Sequence, residues 1–466
     1  MAVNSPLHGA EGPADFGFLT CIRPRRRSAF DPSLFLSVMV HRPLPTYPDS
    51  PRVAHLMIPD WNFSSHGTSS VELMASIVAD SEMKKLVEAA VFETGTWLEE
   101  ADYAGQDPYQ IAAKANATAQ FAPLRPLLDL IKPVVKWLHP HLPSAIFRNM
   151  PAVVIPQALA YALSAEALAP ESADRVRRIE RIVQLLEVNK SPYTKAPAWG
   201  LPFTWRDGKV YPPHWPVAFS SAVVGNALID ARELLPVGLI EQWVRGLTDF
   251  LVDECGVLKT SSGLCFRFVK DSDSPIINGN ALVAAFLARA GALLEDNNAT
   301  TLAREAMAFV VNTQNSDGSW FYTAPHQGNP ADRIIDNRHS LYILDGLALF
   351  SKADPRSGLP IGTALAGGWD YYAHELLTDG VTKWSPTTTY PIDGHDMAQA
   401  IITTSLLGKS CERDELMRVV LEKFYAGHGK FNFKLLESGD VNEAVFIRWT
   451  QAPFYKALRM YLHDGV

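Results

Sequence analysis

The sequence predicts an all-α protein: an (α/α)6 toroid of helical hairpins, preceded by an extension that is first irregular and then helical. Three observations predict it. The chain repeats itself every 54 to 59 residues. Each unit pairs an almost wholly apolar helix with an amphipathic, charged one. The loops that lead into the apolar helices are rich in Gly, Trp, Tyr and Phe.

The repeat is clearest where "GNAL" recurs, in "AVVGNALIDA" at 222–231 and "IINGNALVAAFLARA" at 276–290. One step back lies "IPQALAYALSAEAL" at 155–168. Forward steps reach "DNRHSLYILDGLAL" at 336–349, "DGHDMAQAIITTSLL" at 393–407 and "RWTQAPFYKALRMYL" at 448–462. Each opens with polar or small residues and continues with apolar residues at i, i+3, i+4 and i+7, the spacing of a helix. A helix apolar all round is buried on all sides. The charged partners, such as "RVRRIERIVQLLEV" at 175–188 and "LIEQWVRGLTDFLVDE" at 239–254, should face outwards. Hairpins of this kind cannot bury their apolar faces alone, so they must stack. A closed ring brings all outer-to-inner loops to one end, including "WGLPFTWRDGKVYPPHW" and "DGSWFYTAPHQGNPADRI". An open solenoid is the alternative, but it usually has shorter units and a polar terminal cap. The expected boundaries are 1–65 for an irregular segment with nine prolines among its first 60 residues, 66–150 for a helical extension packing on the barrel, and 151–466 for the toroid.

The totals narrow the function. Lys plus Arg is 42 and Asp plus Glu is 50, a net charge of −8, which gives no general attraction to nucleic acid. The run "RPRRR" at 23–27 reads as a solvated feature. No apolar stretch of about 20 residues is evident, so no transmembrane helix is expected. Four cysteines (Cys21, Cys255, Cys265, Cys411) match no CxxC spacing and read as reduced thiols, placing the chain in the cytoplasm.

"WGLPFTW", "VVGNALIDA", "NGNALVAAFLAR", "QNSDGSWFY", "IDNRHSLYILDGL", "YPIDGHDMAQAI" and "FIRWTQAPFYKAL" occur in an order that resembles helical toroid proteins of bacterial polysaccharide-biosynthesis clusters. Those are related in fold to the glucuronyl C5-epimerase catalytic domain and to the terpenoid-cyclase and prenyltransferase toroids. The resemblance covers roughly 155–466 and implies a carbohydrate-active enzyme. Where relatives commonly show a histidine after "IDN", this chain has Arg338-His339-Ser340. The "DxDD" and "DDxxD" acids of terpene chemistry and the zinc set of prenyltransferases are absent, which leaves a terpene-type reaction a distant alternative.

The first turns of the inner helices supply the candidates. Asp336 suits a helix N-cap as well as a catalytic carboxylate. His339 stands one turn in, and His395 takes the equivalent place in the next repeat, flanked by Asp393 and Asp396. With Tyr390, these are the expected acid–base groups. Arg448 could hold a carboxylate in two hydrogen bonds, or pair with Asp336, Asp393 or Glu443. Arg338, Asn280, Asn337 and Glu443 complete the expected polar contacts. Trp199, Trp205, Trp320, Trp384 and Trp449 could stack on sugar rings or pack the rim. C5 proton abstraction from a uronate needs a base near neutral pKa and a neutralised carboxylate. Epimerisation or lyase cleavage is therefore expected, with a glycan or small molecule as ligand. A glycoside hydrolase or a non-catalytic glycan-binding protein is the alternative. No cofactor and no metal are expected, because Asp393, His395 and Asp396 cannot all share one helix face.

Overall fold

The computed structural model describes residues 70–111, 113, 147, 149–207 and 209–463. The expected segment 1–65, Cys21, the basic run and most of 112–148 lie outside these residues. Ser81–Val466 belongs to one compact unit and Leu19–Asp80 to another. The described chain is mostly helical.

Twelve helices are described: α1 (Ser70–Glu100), α2 (Pro156–Ala167), α3 (Ala173–Val188), α4 (Ala218–Asp230), α5 (Val237–Asp249), α6 (Ile277–Leu294), α7 (Asn297–Asn312), α8 (Asn337–Ala353), α9 (Ile361–Glu375), α10 (Gly394–Leu407), α11 (Ser410–Val419) and α12 (Ala452–His463). Six of them, α2, α4, α6, α8, α10 and α12, touch in cyclic order, and α12 packs back on α2. The charged helices flank them, as polarity predicts. α3 buries only Ile179, Ile182, Leu185 and Leu186, at helical spacing, and shows Arg and Glu to solvent. α6 is the opposite case, with 14 of its residues buried. It is long and apolar enough to cross a membrane, contrary to the sequence expectation, with 78% of its length buried inside the protein. Its apolarity follows from having neighbours on every side.

Local chemistry sets the ends. Pro156 begins α2, where a missing N–H costs nothing. Ser172 caps α3 by accepting from Arg175 N, and Asp296 caps α7 by accepting from Asn298 N and Ala299 N. α10 stops at Gly408 in the left-handed region, with Lys409 N donating to Thr404 O. From Ser81 onwards, α1 lies against α3 and α12: Arg177 and Arg178 bind Glu99, and Gly95 sits against Arg178 and Tyr455.

The expectation of an all-α chain needs one correction. The loops before the inner helices carry short antiparallel ladders, among them Trp205–Asp207 with Lys209–Tyr211 and Val257–Thr260 with Gly263–Phe266. A three-stranded one joins Ile392–Asp393, Lys434–Leu435 and Val441–Asn442. Their registers pair the residues that matter below, because Lys434 lies opposite Asp393.

Inner helices approach closely where side chains vanish. A Cβ on Gly346 of α8 would stand 2.7 Å from the backbone and Cβ of Ala281 on α6. A Gly→Ala change inside a helix normally gains about 1 kcal/mol of propensity. Here overpacking of about 1–3 kcal/mol opposes it. Gly346→Ala is expected to lower the urea midpoint; a raised midpoint would show that α6 and α8 separate at no cost.

Candidate functional site

Each inner helix presents its N-terminal turn to the loop end, and α8, α10 and α12 carry the charges there. Asp336 is extended and caps α8, its Oδ1 accepting from His339 N at 3.0 Å. Asp393 caps α10 in the same way, accepting from His395 N at 2.9 Å. α12 opens differently. The wide turn Ile447–Gln451 closes with Gln451 N donating to Phe446 O, and it turns Arg448 and Trp449 inwards. Such π turns recur at functional sites.

The side chains then meet. Arg338 donates to Asp396 through Nε and Nη2, both at 2.8 Å, and its Nη2 lies 3.6 Å from Asp393. Its guanidinium sits 4.0 Å from the ring centre of Trp449. Lys434 reaches Asp393 at 3.4 Å and stacks over Trp384 at 4.8 Å. Two cations therefore balance two carboxylates in one buried cluster. Burial pushes the Asp396 carboxyl up, against the pull of Arg338. Burial also lowers the Lys434 ammonium. Arg448 forms a fork with Asp107, at 2.7 and 3.0 Å. Asp107 is fully buried, and no sequence reading singled it out.

Two histidines from successive repeats flank this cluster, each with a different partner. His339 Nδ1 lies 2.6 Å from Asp336 Oδ2, with the ring tilted against Tyr322 at 4.7 Å. Burial raises the Asp336 carboxyl, but His339 and Arg338 outweigh it and hold it below the ordinary range. His395 Nε2 is 2.7 Å from the Tyr342 hydroxyl. Burial, then the positive Arg338 and Arg448, press the His395 imidazole well below its usual pKa, so it stays neutral. From this pair a polar chain runs along the axis of the ring. Tyr342 OH is 3.4 Å from Tyr161 OH, which donates to Gln399 Oε1 at 3.1 Å. Gln399 Nε2 and Thr403 Oγ1 both donate to Asp345, each at 2.6 Å. Burial pushes the Asp345 carboxyl up to about 7.

Of the residues expected from sequence, Asp336, His339, Arg338, Asp393, His395, Arg448 and Trp449 are brought together, with Trp384 beside them through Lys434. Others are placed elsewhere. Asn280 accepts from Phe266 N and donates to Ala306 O, tying α6 to α7 and a loop ladder. Asn337 donates to Leu376 O and accepts from Tyr372, facing α9. Trp199 and Trp320 are buried, their indole N–H groups donating to Leu186 O and Val310 O. Trp205 stacks on Tyr211 at 4.4 Å inside its own loop. Tyr390 is 37% exposed on the rim and Glu443 is exposed, so neither joins the cluster. Sequence reading missed Tyr161, Asp345, Gln399, Thr403 and Lys434. The signal for three of the axis residues was available, since His395, Gln399 and Thr403 recur every fourth position on a helix otherwise dominated by apolar residues. Among the described residues, no three His, Cys, Asp or Glu side chains are grouped to hold a metal ion. Cys255, Cys265 and Cys411 are free thiols.

No protein-family model and no curated protein sequence matches this chain. Solved structures do. A cellobiose 2-epimerase from Bacillus thermoamylovorans superposes with a TM-score of 0.55 at 10% identity, over 67% of this chain and 88% of that one. A protein from Salmonella enterica described as a possible member of the GH105 family gives 0.52 at 10% identity, over 67% and 83%. The GH76 α-mannanase of Bacteroides thetaiotaomicron gives 0.51 at 9% identity, over 67% and 87%. At such identities the likeness establishes the fold alone.

Two measurements test this electrostatic picture. Arg448→Met leaves Asp107 buried without its partner and is expected to cost about 3–5 kcal/mol. Asp107→Leu combined with Arg448→Met should recover much of that loss; equal costs for the single and double variants would mean the fork is not what is felt. For Asp345, the folded chain holds a proton up to about pH 7, whereas an unfolded aspartate releases it near pH 3.9. The unfolded state therefore gains as pH rises between those values, and the wild type should lose up to ~4 kcal/mol against Asp345→Asn over that window. Parallel pH profiles of the two proteins would refute the burial assignment.

Proposed function

We propose that the chain is a carbohydrate-active enzyme on an (α/α)6 toroid, with α1 as the outer helix completing six hairpins. On this reading it removes a proton from a carbon of a sugar ring, as at C5 of a uronic acid, with epimerisation or lyase cleavage as the outcome. One arrangement carries the proposal: the His339–Asp336 dyad opens α8, and Tyr342, three residues further along that helix, meets His395 of the next inner helix, α10, beside Arg338 and Arg448. The sugar-directed names of the similar structures, an epimerase and a mannanase, support the substrate class.

In this mechanism Asp336 accepts from His339 Nδ1–H and stabilises the imidazolium that forms when Nε2 takes the carbon-bound proton. The guanidiniums favour the negative charge that builds on the substrate carboxylate. Tyr342, whose hydroxyl burial keeps protonated well beyond its usual range, is the acid. A proton returned to the other face of the ring gives the epimer. Loss of the C4 substituent, with the proton passing to its oxygen, gives an unsaturated product.

A second reading, glycoside hydrolysis, is favoured by one observation. Asp393 and Asp396 are adjacent carboxylates, and burial raises Asp396 towards the behaviour of a general acid. Both are engaged by Arg338, which ranks this second.

Uronic-acid oligosaccharides incubated in deuterated water, read by mass spectrometry and NMR, separate the readings. Deuterium at C5 is expected, and His339→Ala should slow its entry by about 10²–10⁴-fold. New reducing ends without deuterium would move the assignment to hydrolysis. Glycan binding with neither product would make the protein a binder.

A further inference from the structure

Asp345 is a buried carboxylate well inside the ring, away from the charged cluster at the loop end. It comes from α8, three residues and almost one turn beyond Tyr342. An ionised carboxylate can only accept, and both oxygens of Asp345 do so, one from Gln399 Nε2 and one from Thr403 Oγ1. That fixes the Gln399 amide with its oxygen towards Tyr161. The oxygen can only accept, so the single proton of Tyr161 is committed to Gln399 at 3.1 Å. Tyr161 then has nothing to donate to Tyr342, and the 3.4 Å between the two hydroxyls is long for an O–H···O bond. The short contact of Tyr342 is with His395 Nε2, at 2.7 Å.

A neutral group at 345 undoes each of these choices in turn. It can donate to Gln399, the amide turns, its NH2 faces Tyr161, and the Tyr161 proton is released to Tyr342. A hydroxyl that receives a hydrogen bond is a better acid, because the bond is stronger to the anion left behind. We propose that Asp345 is a positioning residue: acting through Gln399 and Tyr161, it sets the direction of the axial hydrogen bonds and so decides whether Tyr342 is hydrogen-bonded from behind as it faces His395. The proposal rests on reading Tyr342 and His395 as the acid–base pair, but the test uses no substrate.

The charged groups around the chain are few and identifiable. Lys456 of α12 acts on Asp345 and lies 5.8 Å from the Tyr161 ring. Arg338 and Arg448 act on Tyr342 and His395 from the loop end. Asp230 of α4 and Arg289 of α6 bind each other at 2.6 Å.

The experiment places 3-fluorotyrosine at position 342 of the full chain and reads its ¹⁹F resonance, together with the ¹⁵N shifts of His395, at pH 8.5. Asp345→Asn is expected to move both signals. Gln399→Met, which releases the Tyr161 proton while leaving position 345 an aspartate held by Thr403 alone, should move the Tyr342 signal as well, and it serves if Asp345→Asn does not fold. Thr403→Val removes a donor that lies off the path and should leave Tyr342 where it was. Lowering the wild type to pH 6 should carry its signals towards those of Asp345→Asn; Asp396, beside His395 and also pushed up by burial, acts on both proteins alike, so the change present in the wild type and missing from Asp345→Asn is the part due to Asp345. Unmoved Tyr342 and His395 signals in folded Asp345→Asn and Gln399→Met would overturn the proposal. Deuterium exchange that survives such a result would leave the proposed reaction standing and remove only this control of it.

Discussion

A helix buried on every side has nowhere to send its polar groups except to one another. This constraint governs the ring. Solvent cannot satisfy Asp345, Gln399 or Tyr161, so each must find a partner on a different inner helix. The same rule operates at the loop end with full charges. Arg338, Lys434, Asp393 and Asp396 neutralise each other, as Arg448 and Asp107 do. An unpaired member of either set would cost more than its partner contributes. Function and packing therefore draw on the same contacts: the residues that could do chemistry also hold α8, α10 and α12 in register.

The two histidines illustrate how position within this frame produces different behaviour from one residue type. Both occupy the first turn after a capping aspartate. In α8 the cap's second oxygen turns back to His339 Nδ1 and gives it a carboxylate partner. In α10 the cap Asp393 faces Lys434 and Arg338 instead, and His395 has no carboxylate of its own cap to pair with; its burial, and then Arg338 and Arg448, hold it neutral. A loop ladder makes this difference, because it sets Lys434 opposite Asp393.

Much of the fold was legible in the sequence, because both of its signals are periodic: a unit length and an alternation of apolar with charged helices. The first turns of α8 and α10 were legible for the same reason, since equivalent places in a repeat carried equivalent residues. What could not be read was direction. Nothing in the string separates Trp449, which meets Arg338 at 4.0 Å, from Trp320, whose N–H ends on Val310 O. Partners far away in sequence were equally hidden: Asp107 stands 341 residues from Arg448 and belongs to no repeat. The ladders in the loops were missed because strands of two to four residues carry no periodicity of their own.

The contact that completes the cycle also sets a schedule for making the protein. Tyr455 of α12 donates to Glu166 of α2 across 289 residues of chain. On a ribosome adding about 5–20 residues per second, α2 emerges roughly 15–60 s before the helix that covers its far side. Through that interval the early hairpins present apolar faces with no final neighbour, so they must cohere as an open arc. The ring is finished only after translation has passed α12, and the nascent chain depends until then on whatever shields it in the cell.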